Sequence, residues 1–551
     1  TMTVNVSPTG ASTIFNTVDS LTPAGGTVLD NAMNLAQTYF LGASSPMDPS
    51  LSCQENILIV VSDGFWTDTT ASATAASLYA SHGIRTFTVG FLTTGNSNYV
   101  TLSQAGGTYP DSPLYASNEA ELLNVLSNYI QQIISSSLTF TAPTIIPSAA
   151  NDESIIQSTF TYKREHQWKG RLLKYALLAD GNVGSLLWDA GALLNQVQAD
   201  NRNIWTVATA LPNGLNNFEI AELDRLRQPL EEYSGITYTD TELTNLIEFI
   251  RGKDTYDEFA NDLDDEGEAL LAGERWKLAD IYHSRSAIVG KPSAYFSDAS
   301  RVNTESYYRY LNNYAGFISS SQCGTVCSNR KEMIYVGSNG GKLHAFNSTT
   351  GAEEWAFIPP SLLGSLKDVI SANANESNSI YGVDGTPTVK DIFYSGQWRT
   401  ILMAGLRQGG QSYFALDITD PDNPQHMFTI ASRPLNQLVS YWDANGTRTN
   451  YSTASSVPAA FDFSKLGESW SQPVIVKLKI NSVDKWVALI AGGYNNAINP
   501  NYGANLYILD LENGGQIIQR IDLADNDATN GIVNSVPPRI TVITADSTTL
   551  F

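Results

Sequence analysis

The sequence has few basic residues and few histidines. It contains 32 Lys and Arg residues against 55 Asp and Glu residues, with only 5 His, so its formal net charge is −23. A chain of this charge repels phosphates, and no cluster of Lys and Arg forms a local exception. The composition therefore excludes nucleic acid as a partner, while its acidity favours solubility and is compatible with calcium binding.

Long apolar runs are also absent. No stretch is long enough to span a bilayer, so the sequence predicts no transmembrane segment. Charged residues make up only 16% of the chain, and the many Ser, Thr, Asn and Gly residues are typical of solvated β-structure with long loops. No signal peptide is present, but the sequence opens at Thr1 in what reads as the middle of a domain. We therefore expect an N-terminal part to be missing from it.

Cysteine is scarce, with three residues in the chain. Cys323 and Cys327 are separated by three residues in a Ser-rich loop. We expect them to form a disulfide, because metal ligation needs more Cys or His than this loop supplies. Cys53 either pairs with a residue of the missing N-terminal part or is a buried free thiol. A disulfide would place the protein in an oxidising compartment.

The second half of the chain contains a repeated β-pattern. An apolar strand ending at Gly, a loop, and an apolar strand ending at Asn or Asp recur in residues 334–358, 401–430 and 487–523. A strand opened by proline precedes the second and third copies. Roughly four strands per copy, at spacings of about 70 to 90 residues, favour propeller blades over the alternative of a β-sandwich. The repeat predicts equivalent positions for three glycines, namely Gly337, Gly405 and Gly492.

The first 140 residues alternate between helical and strand patterns. The segment NILIVVSDG is an unbroken apolar strand, typical of a buried parallel strand, and Asp63 stands at its end. Gly25-Gly26-Thr27 comes directly before a helical pattern. In sheets of this kind, ligands bind outside the carboxyl ends of the strands, where we expect both Thr27 and Asp63. Their structural alternatives are a helix N-cap for Thr27 and a turn carboxylate for Asp63.

Residues 141–274 change in character. A linker rich in Pro, Ala and Ser precedes two or three strands, a short amphipathic helix and an acidic stretch, Asn261 to Glu274, that we expect to be a solvated surface. His283 then follows Asp280 by three residues. The two form either an acid–base or ligand pair or, as we favour, His283 is a hydrogen-bonded residue at a blade corner.

Ordered fragments of the chain carry a family resemblance. CQENILIVVSDG, LADIYHS, MIYVGSNGGKLHAFNSTTG, YGVDGTPTVKDIF and KWVALIAGG occur in this order and together resemble the PilY/PilC family of type IV pilus tip adhesins and assembly factors. The resemblance implies three regions. They are a partial von Willebrand factor A domain of the α/β class lacking its first strand (1–140), a linker with a β-rich intermediate segment (141–274), and an incomplete β-propeller similar to quinoprotein dehydrogenases (275–551).

The resemblance also implies a cation site. In von Willebrand A domains, a Thr and an Asp at the places of Thr27 and Asp63 join an Asp-x-Ser-x-Ser loop to hold a divalent cation. Hydroxyl and carboxylate oxygens suit Mg²⁺ or Ca²⁺. The Asp-x-Ser-x-Ser loop would precede Thr1, so the set present here is partial.

Calcium in the propeller is a weaker expectation. The family often carries an acidic calcium loop between late blade strands, but residues 541–550 contain a single carboxylate, that of Asp546. Calcium control through that loop is therefore not expected. An alternative set of calcium ligands lies earlier in the chain and consists of Asp522, Asp525 and Asp527.

The function that the resemblance implies is that of a non-enzymatic, extracellular pilus tip adhesin and assembly factor. It would dock onto minor pilins and contact a surface or a host-cell ligand. The alternatives are a periplasmic quinoprotein dehydrogenase and a matrix adhesin unconnected to pili. The dehydrogenase chemistry needs adjacent cysteines and a cation held by carboxylates. Cys323 and Cys327 are not adjacent, and no carboxylate cluster stands out among the blades, so we expect no enzyme.

A disulfide between Cys323 and Cys327 is testable by chemistry. We expect neither residue to be alkylated in the native protein without reductant, since bridged Cα atoms lie within about 7 Å and leave no free thiol. Peptide mass spectrometry of the non-reduced digest should show the two cysteines linked. Two alkylatable thiols at these positions would contradict the pairing.

Overall fold

The computed structural model divides the chain into two compact units, Thr1–Leu138 and Thr139–Phe551. No helix among the described residues is both long and apolar enough to cross a bilayer. The structure describes residues 28–42, 45–47, 56–67, 70–93, 97–109, 112–118, 121–122, 125–126, 144–146, 154–163, 165–178, 183–208, 211–232, 234–259, 262–264, 268–296, 304–319, 322, 324–373, 375–495, 502–523, 536 and 539–542.

The first unit is a parallel sheet with helices. Its elements alternate along the chain: α1 (Leu29–Leu41), β1 (Ile57–Ser62), α2 (Ala71–His82), β2 (Arg85–Phe91), α3 (Ser97–Ala105) and β3 (Leu114–Ala116). The strands pair in parallel in the order β1-β2-β3. Leu58 and Val60 of β1 pack with residues of the three helices, while Ile57 and Ile59 pack with Phe87. Both faces of β1 are thus covered, which is why its sequence is apolar without alternation.

The second unit opens with a four-stranded antiparallel sheet. Its strands pair in chain order and are β4 (Thr144–Ile146), β5 (Ser154–Thr161), β6 (Lys169–Leu177) and β7 (Val183–Asp189). The helix α4 (Ala190–Asn195) follows, and the Asp189 side chain caps its first turn. Ile156, Leu172 and Trp188 of this sheet share an apolar cluster with Ile334 and Val336. The region expected to be an intermediate segment therefore packs directly against the strands that follow it.

A short strand and two helices lie between this sheet and the next. They are β8 (Ile204–Trp205), α5 (Leu223–Glu231) and α6 (Asp240–Arg251). α6 begins with a reciprocal cap in which the Thr239 hydroxyl and the Glu242 carboxylate each bind the other residue's backbone N–H. Its apolar side chains pack into a cluster that also holds Ile204 and Ile358. This cluster ties the helices to one edge of the neighbouring sheet, where β8 pairs with β12 (Glu353–Phe357).

Three further antiparallel sheets follow. Each contains four strands that pair in chain order. In the first they are β9 (Ala287–Val289), β10 (Met333–Ser338), β11 (Lys342–Asn347) and β12 (Glu353–Phe357), and in the second β13 (Thr388–Tyr394), β14 (Gln397–Gly405), β15 (Ser412–Asp417) and β16 (Gln425–Arg433). In the third they are β19 (Val474–Ile480), β20 (Val483–Ala491), β21 (Asn505–Asp510) and β22 (Gln516–Asp522). β8 extends the first of these sheets by pairing in parallel with β12. The second is extended by β17 (Leu438–Trp442) and β18 (Arg448–Ser452). None of the sheets closes on itself.

Three short helices interrupt the first of these sheets between β9 and β10. They are α7 (Glu305–Leu311), α8 (Tyr314–Ile318) and α9 (Thr325–Ser328). Tyr314 and Phe317 are fully buried in the cluster that joins the next two sheets. The Tyr314 hydroxyl donates to the carboxylate of Asp391 in β13, and burial beside that carboxylate raises the pKa of Tyr314 far above its ordinary value. The insertion is therefore part of the core.

The glycines predicted to be equivalent do occupy equivalent strands. Gly337 and Gly405 lie in the second strand of their sheets, and Gly492 directly follows the second strand of its own. A Cβ on Gly337 would lie 2.1 Å from the Val383 carbonyl oxygen, and one on Gly405 would lie 2.7 Å from that of Ser469. Each carbonyl belongs to the segment that leads into the next sheet. These positions exclude side chains because one sheet packs there against the backbone of the next.

Neighbouring sheets are joined by shared apolar clusters. Tyr335, Leu343 and Phe357 of the first sheet pack with Leu402 and Phe414 of the second. The opposite face of the second sheet packs against the third through another cluster, which includes Ile401, Tyr413, Trp486 and Tyr507. Consecutive residues of one strand, such as Ile401 and Leu402, thus pack against different neighbouring sheets. This face-to-face stacking of four-stranded sheets is the packing of propeller blades.

Candidate functional site

The first candidate site is the edge of the parallel sheet at which β1 ends. Asp63 directly follows the strand, is exposed, and makes no hydrogen bond or ion pair with a described residue. The Tyr99 hydroxyl lies 3.0 Å from the Ser62 carbonyl oxygen and 2.9 Å from that of Gly64. Burial raises the pKa of Tyr99, so this hydroxyl remains a donor. The backbone on both sides of Asp63 is therefore held in place.

The far end of the same loop is also anchored. The Asp30 carboxylate on α1 accepts hydrogen bonds of 3.0 and 2.7 Å from the backbone N–H groups of Thr70 and Ala71. These groups lie at the start of α2, where backbone donors lack partners within the helix. The loop that carries Asp63 is thus bounded by two fixed points, which suits a site that must present a carboxylate in a defined position.

Apolar side chains accompany this carboxylate. Phe65 is 71% exposed and Leu92, directly after β2, is 66% exposed. Thr27, the other predicted cation ligand, lies outside the described residues. Among the residues that the structure describes, no three His, Cys, Asp or Glu side chains form a group that could hold a metal ion. A cation at Asp63 would need ligands from elsewhere in the chain, and the cation site stays a prediction.

The predicted calcium ligand Asp522 is engaged in ion pairs. It ends β22, and its carboxylate oxygens lie 3.0 Å from Lys465 Nζ and 3.0 Å from Arg520 Nε. A calcium ion at Asp522 would have to compete with both cations. Asp525 and Asp527 lie outside the described residues, so calcium binding by the three aspartates also stays a prediction.

Cys327 takes part in a disulfide and is fully buried. Cys323 and Cys53 lie outside the part of the chain that the structure describes, so the pairing with Cys323 stays a prediction. Cys327 belongs to the same apolar cluster as Tyr314 and Phe317. The cysteine at the end of the helical insertion is therefore packed into the core between the sheets.

A second candidate site is the open edge formed by β7. Among the described residues, this strand is the last of its sheet and pairs with β6 alone. Val183, Leu186 and Leu187 are each more than half exposed, and Leu178 nearby is 48% exposed. An exposed apolar edge strand offers unpaired backbone groups and side-chain contacts to a strand of another protein. The sequence did not predict this site, because apolar and polar residues do not alternate along the strand. Adjacent leucines such as Leu186 and Leu187 are as typical of a buried strand as of an exposed one.

Asp280 and His283 are both hydrogen-bonded, but to different partners. His283 Nδ1 lies 2.6 Å from Asp384 Oδ2, a residue 101 positions away. Asn339 Nδ2 donates to Asp280 Oδ2 at 2.6 Å, and Asp280 Oδ1 has no hydrogen-bond partner among the described residues. Burial, helped by the charge of Asp384, raises the pKa of Asp280 to about 8. The sequence did not point to Asp384 as a partner of His283, because the two residues are 101 positions apart in the chain.

The antiparallel sheets stack face to face. The segment that precedes the second sheet packs on Gly337 of the first, and the segment that precedes the third packs on Gly405 of the second. This arrangement defines a protein of the β-propeller class. Residues 278–548 match the family described as the PilY1 beta-propeller domain. Together with the relatives below, this match shows that the chain belongs to the PilY1 family of type IV pilus proteins.

The relatives share moderate sequence identity. The chain is 27% identical over 444 residues to the type IV pilus biogenesis factor PilY1 of Pseudomonas aeruginosa strain UCBPP-PA14, which covers 78% of this chain and 32% of that protein. A PilY1 homologue from Xylella fastidiosa strain Temecula1 is 26% identical over 423 residues, covering 72% of this chain and 25% of that protein. The chain thus spans about a third or less of the length of these relatives.

One solved structure is also similar. The crystal structure of the C-terminal domain of Pseudomonas aeruginosa PilY1 has 27% sequence identity and covers 44% of this chain and 38% of that chain, with a TM-score of 0.29. A TM-score of this size does not establish a shared overall arrangement. The family assignment rests on the sequence matches.

The raised pKa of Asp280 predicts a pH-dependent stability. Because the folded state binds this proton more tightly than the unfolded state, the stabilisation is complete below the ordinary pKa of an aspartate and is lost as the pH rises towards about 8. Asp280→Asn cannot ionise and keeps an acceptor for Asn339. We expect its melting temperature, relative to the native protein, to rise between about pH 5 and pH 8. The exposed Asp224→Asn is the control, and a pH-independent difference for Asp280→Asn would contradict the assignment.

Proposed function

We propose that the protein is a non-enzymatic type IV pilus tip adhesin that also serves as an assembly and priming factor. The observation that carries the proposal is the match of residues 278–548 to the PilY1 propeller domain. The relatives of the chain are named as type IV pilus biogenesis factors, which supports the same role. The protein would act outside the cell, at the pilus tip, after export through the periplasm. A disulfide at Cys327 suits that oxidising route.

The second unit would provide the contact with the pilus. Within the part of the chain that the structure describes, its edge strand β7 is paired on one side only, and it exposes Leu186 and Leu187. The occupant that we propose for this edge is a strand of a minor pilin, which would extend the sheet β4–β7 by one strand. Backbone hydrogen bonds would give this contact its affinity, and the leucine side chains would give it specificity.

The first unit would be a von Willebrand A domain that contacts the surface or the host-cell ligand. Its parallel sheet and the exposed Asp63 at a carboxyl edge support this assignment. Thr27 and upstream residues would complete a site for Mg²⁺ or Ca²⁺ around Asp63. A cation at an exposed edge keeps a free coordination position, which an acidic group of the ligand would fill.

We propose no catalytic activity. A quinoprotein dehydrogenase would need adjacent cysteines beside its quinone, and Cys323 and Cys327 are separated by three residues. Incubation with pyrroloquinoline quinone and calcium should therefore leave the absorbance of the protein equal to the sum of its components.

The division of labour predicts separate effects on adhesion and on piliation. In the full-length protein, Asp63→Ala should reduce surface attachment per pilus several-fold while leaving the number of pili unchanged, because only the distal cation site is lost. Attachment assays and pilus counts by electron microscopy measure the two effects. Asp224→Ala, an exposed aspartate on α5, is the control. Loss of pili with unchanged attachment per pilus would make the first unit the assembly part.

Docking of a minor pilin on β7 predicts that substitutions in this strand lower the affinity for the pilin. Leu186→Lys with Leu187→Lys should weaken binding of purified minor pilins about tenfold or more, because two buried apolar contacts are replaced by charges. Calorimetric titration measures the affinity. Leu311→Lys is the matched control, since Leu311 is 60% exposed on α7. An unchanged affinity in the double variant would exclude β7 as the docking edge.

A further inference from the structure

The segments that lead into successive sheets meet around a cavity. The His283 backbone N–H donates to Asp384 Oδ1 at 2.9 Å, and the Ser284 hydroxyl donates to the Gly385 carbonyl oxygen at 3.0 Å. These bonds join the segment before β9 to the segment before β13. The cavity beside them has a volume of about 440 Å³, and residues before β9, β13 and β19 line it. Its walls are thus made by the inner ends of three sheets.

The cavity is positively charged in an otherwise acidic protein. Its lining includes Arg285, Arg407 and Arg539 together with His283, and the described residues that line it include no Asp or Glu. The whole chain carries a net charge of −23 with only 32 Lys and Arg residues. Three arginines around one cavity are therefore a marked departure from the average surface. A concave wall of one sign concentrates ions of the opposite sign.

Two of the three guanidinium groups are exposed at the rim of the cavity, and the third is held in place by an aromatic ring. Arg285 and Arg539 are exposed and make no side-chain hydrogen bond or ion pair with the described residues. Arg407 stacks on the ring of Trp470, with its guanidinium carbon 4.4 Å from the ring centre. Its buried Nε atom has no hydrogen-bond partner among the described residues, and the closest carboxylate oxygen, Asp384 Oδ2, is 3.8 Å away. Stacking on Trp470 thus orients this guanidinium, and its Nε–H is left without a hydrogen bond among the described residues.

Asp384 orients the histidine from behind the lining. Its carboxylate is 1% exposed, and its Oδ2 lies 2.6 Å from His283 Nδ1 and 3.8 Å from Arg407 Nε. The contact with Nδ1 holds the imidazole ring in one orientation. The other ring nitrogen, Nε2, makes no hydrogen bond with a described residue and is left to interact with a ligand hydroxyl. The cavity therefore combines arginine N–H groups that can donate to an oxyanion with one oriented imidazole.

We propose that this cavity binds a small hydroxylated oxyanion, with a carboxylate on the arginines and a hydroxyl on His283. A sugar acid such as a uronic acid has this chemistry. Arg407 would bind the carboxylate through parallel N–H donors, the strong geometry for this pair, while Arg285 and Arg539 add charge at the rim. The site is independent of the pilin edge and of the Asp63 edge, and it does not require the proposed pilus function.

Calorimetric titration of the full chain with glucuronate, at low ionic strength, tests the proposal. We expect saturable binding of glucuronate, no binding of glucose, and a weakening by salt that screens the arginines. Arg407→Gln should weaken glucuronate binding about tenfold or more, and Arg285→Gln should weaken it less. Arg225→Gln, on α5, should leave it unchanged, since Arg225 is exposed and pairs only with Glu222.

Inorganic phosphate distinguishes a bare oxyanion from a hydroxylated one. Weaker binding of phosphate than of glucuronate is expected, because phosphate cannot satisfy both the arginines and His283. Binding of phosphate without glucuronate would overturn the assignment, as would the absence of saturable glucuronate binding or an affinity that neither arginine variant changes. Should Arg407→Gln fail to fold, the exposed Arg285→Gln still decides the outcome.

Discussion

A buried ionic contact around Glu353 holds the second unit together. Arg202 Nε and NH2 each donate to one carboxylate oxygen of Glu353 at 2.9 Å, and His344 Nδ1 lies 2.7 Å from the same carboxylate. All three side chains are almost completely buried. Burial alone would raise the pKa of Glu353, but the charge of Arg202 and the hydrogen bonds from His344 and Arg202 together outweigh burial and hold the pKa far below its ordinary range. Burial lowers the pKa of His344, which stays neutral.

This contact decides where the early segment of the unit lies. Arg202 precedes β8 and Glu353 opens β12, so their pairing places β8 beside β12 in parallel. Arg251 of α6 reinforces the arrangement by donating to the carbonyl oxygens of Ala199 and Arg202. Removing one member would leave a buried charge without its partner, which costs about 3–5 kcal/mol. The position of α6 relative to β8 therefore depends on this contact.

Features that depend on neighbouring residues could be predicted from the sequence. The parallel β1 and the glycines of the repeated sheets needed only apolar patterns and turn residues. Pairings between remote residues could not be predicted. Asp264 lies in a stretch expected to be solvated, yet it is buried in an ion pair with Lys169, and the partner of His283 is the distant Asp384. A local pattern shows where charge is, but the residue that neutralises it is determined by tertiary packing.

The parallel addition of β8 to β12 has a consequence for folding in time. Arg202 and Glu353 are 151 residues apart, so at a synthesis rate of about 5–20 residues per second the arginine waits roughly 8–30 s for its partner. During that interval the sheet β4–β7 exists without the strands against which it packs. Its apolar face and its open edge are then exposed together. Until residue 357 has emerged, a nascent chain of this protein therefore presents to solvent a surface that the finished fold covers.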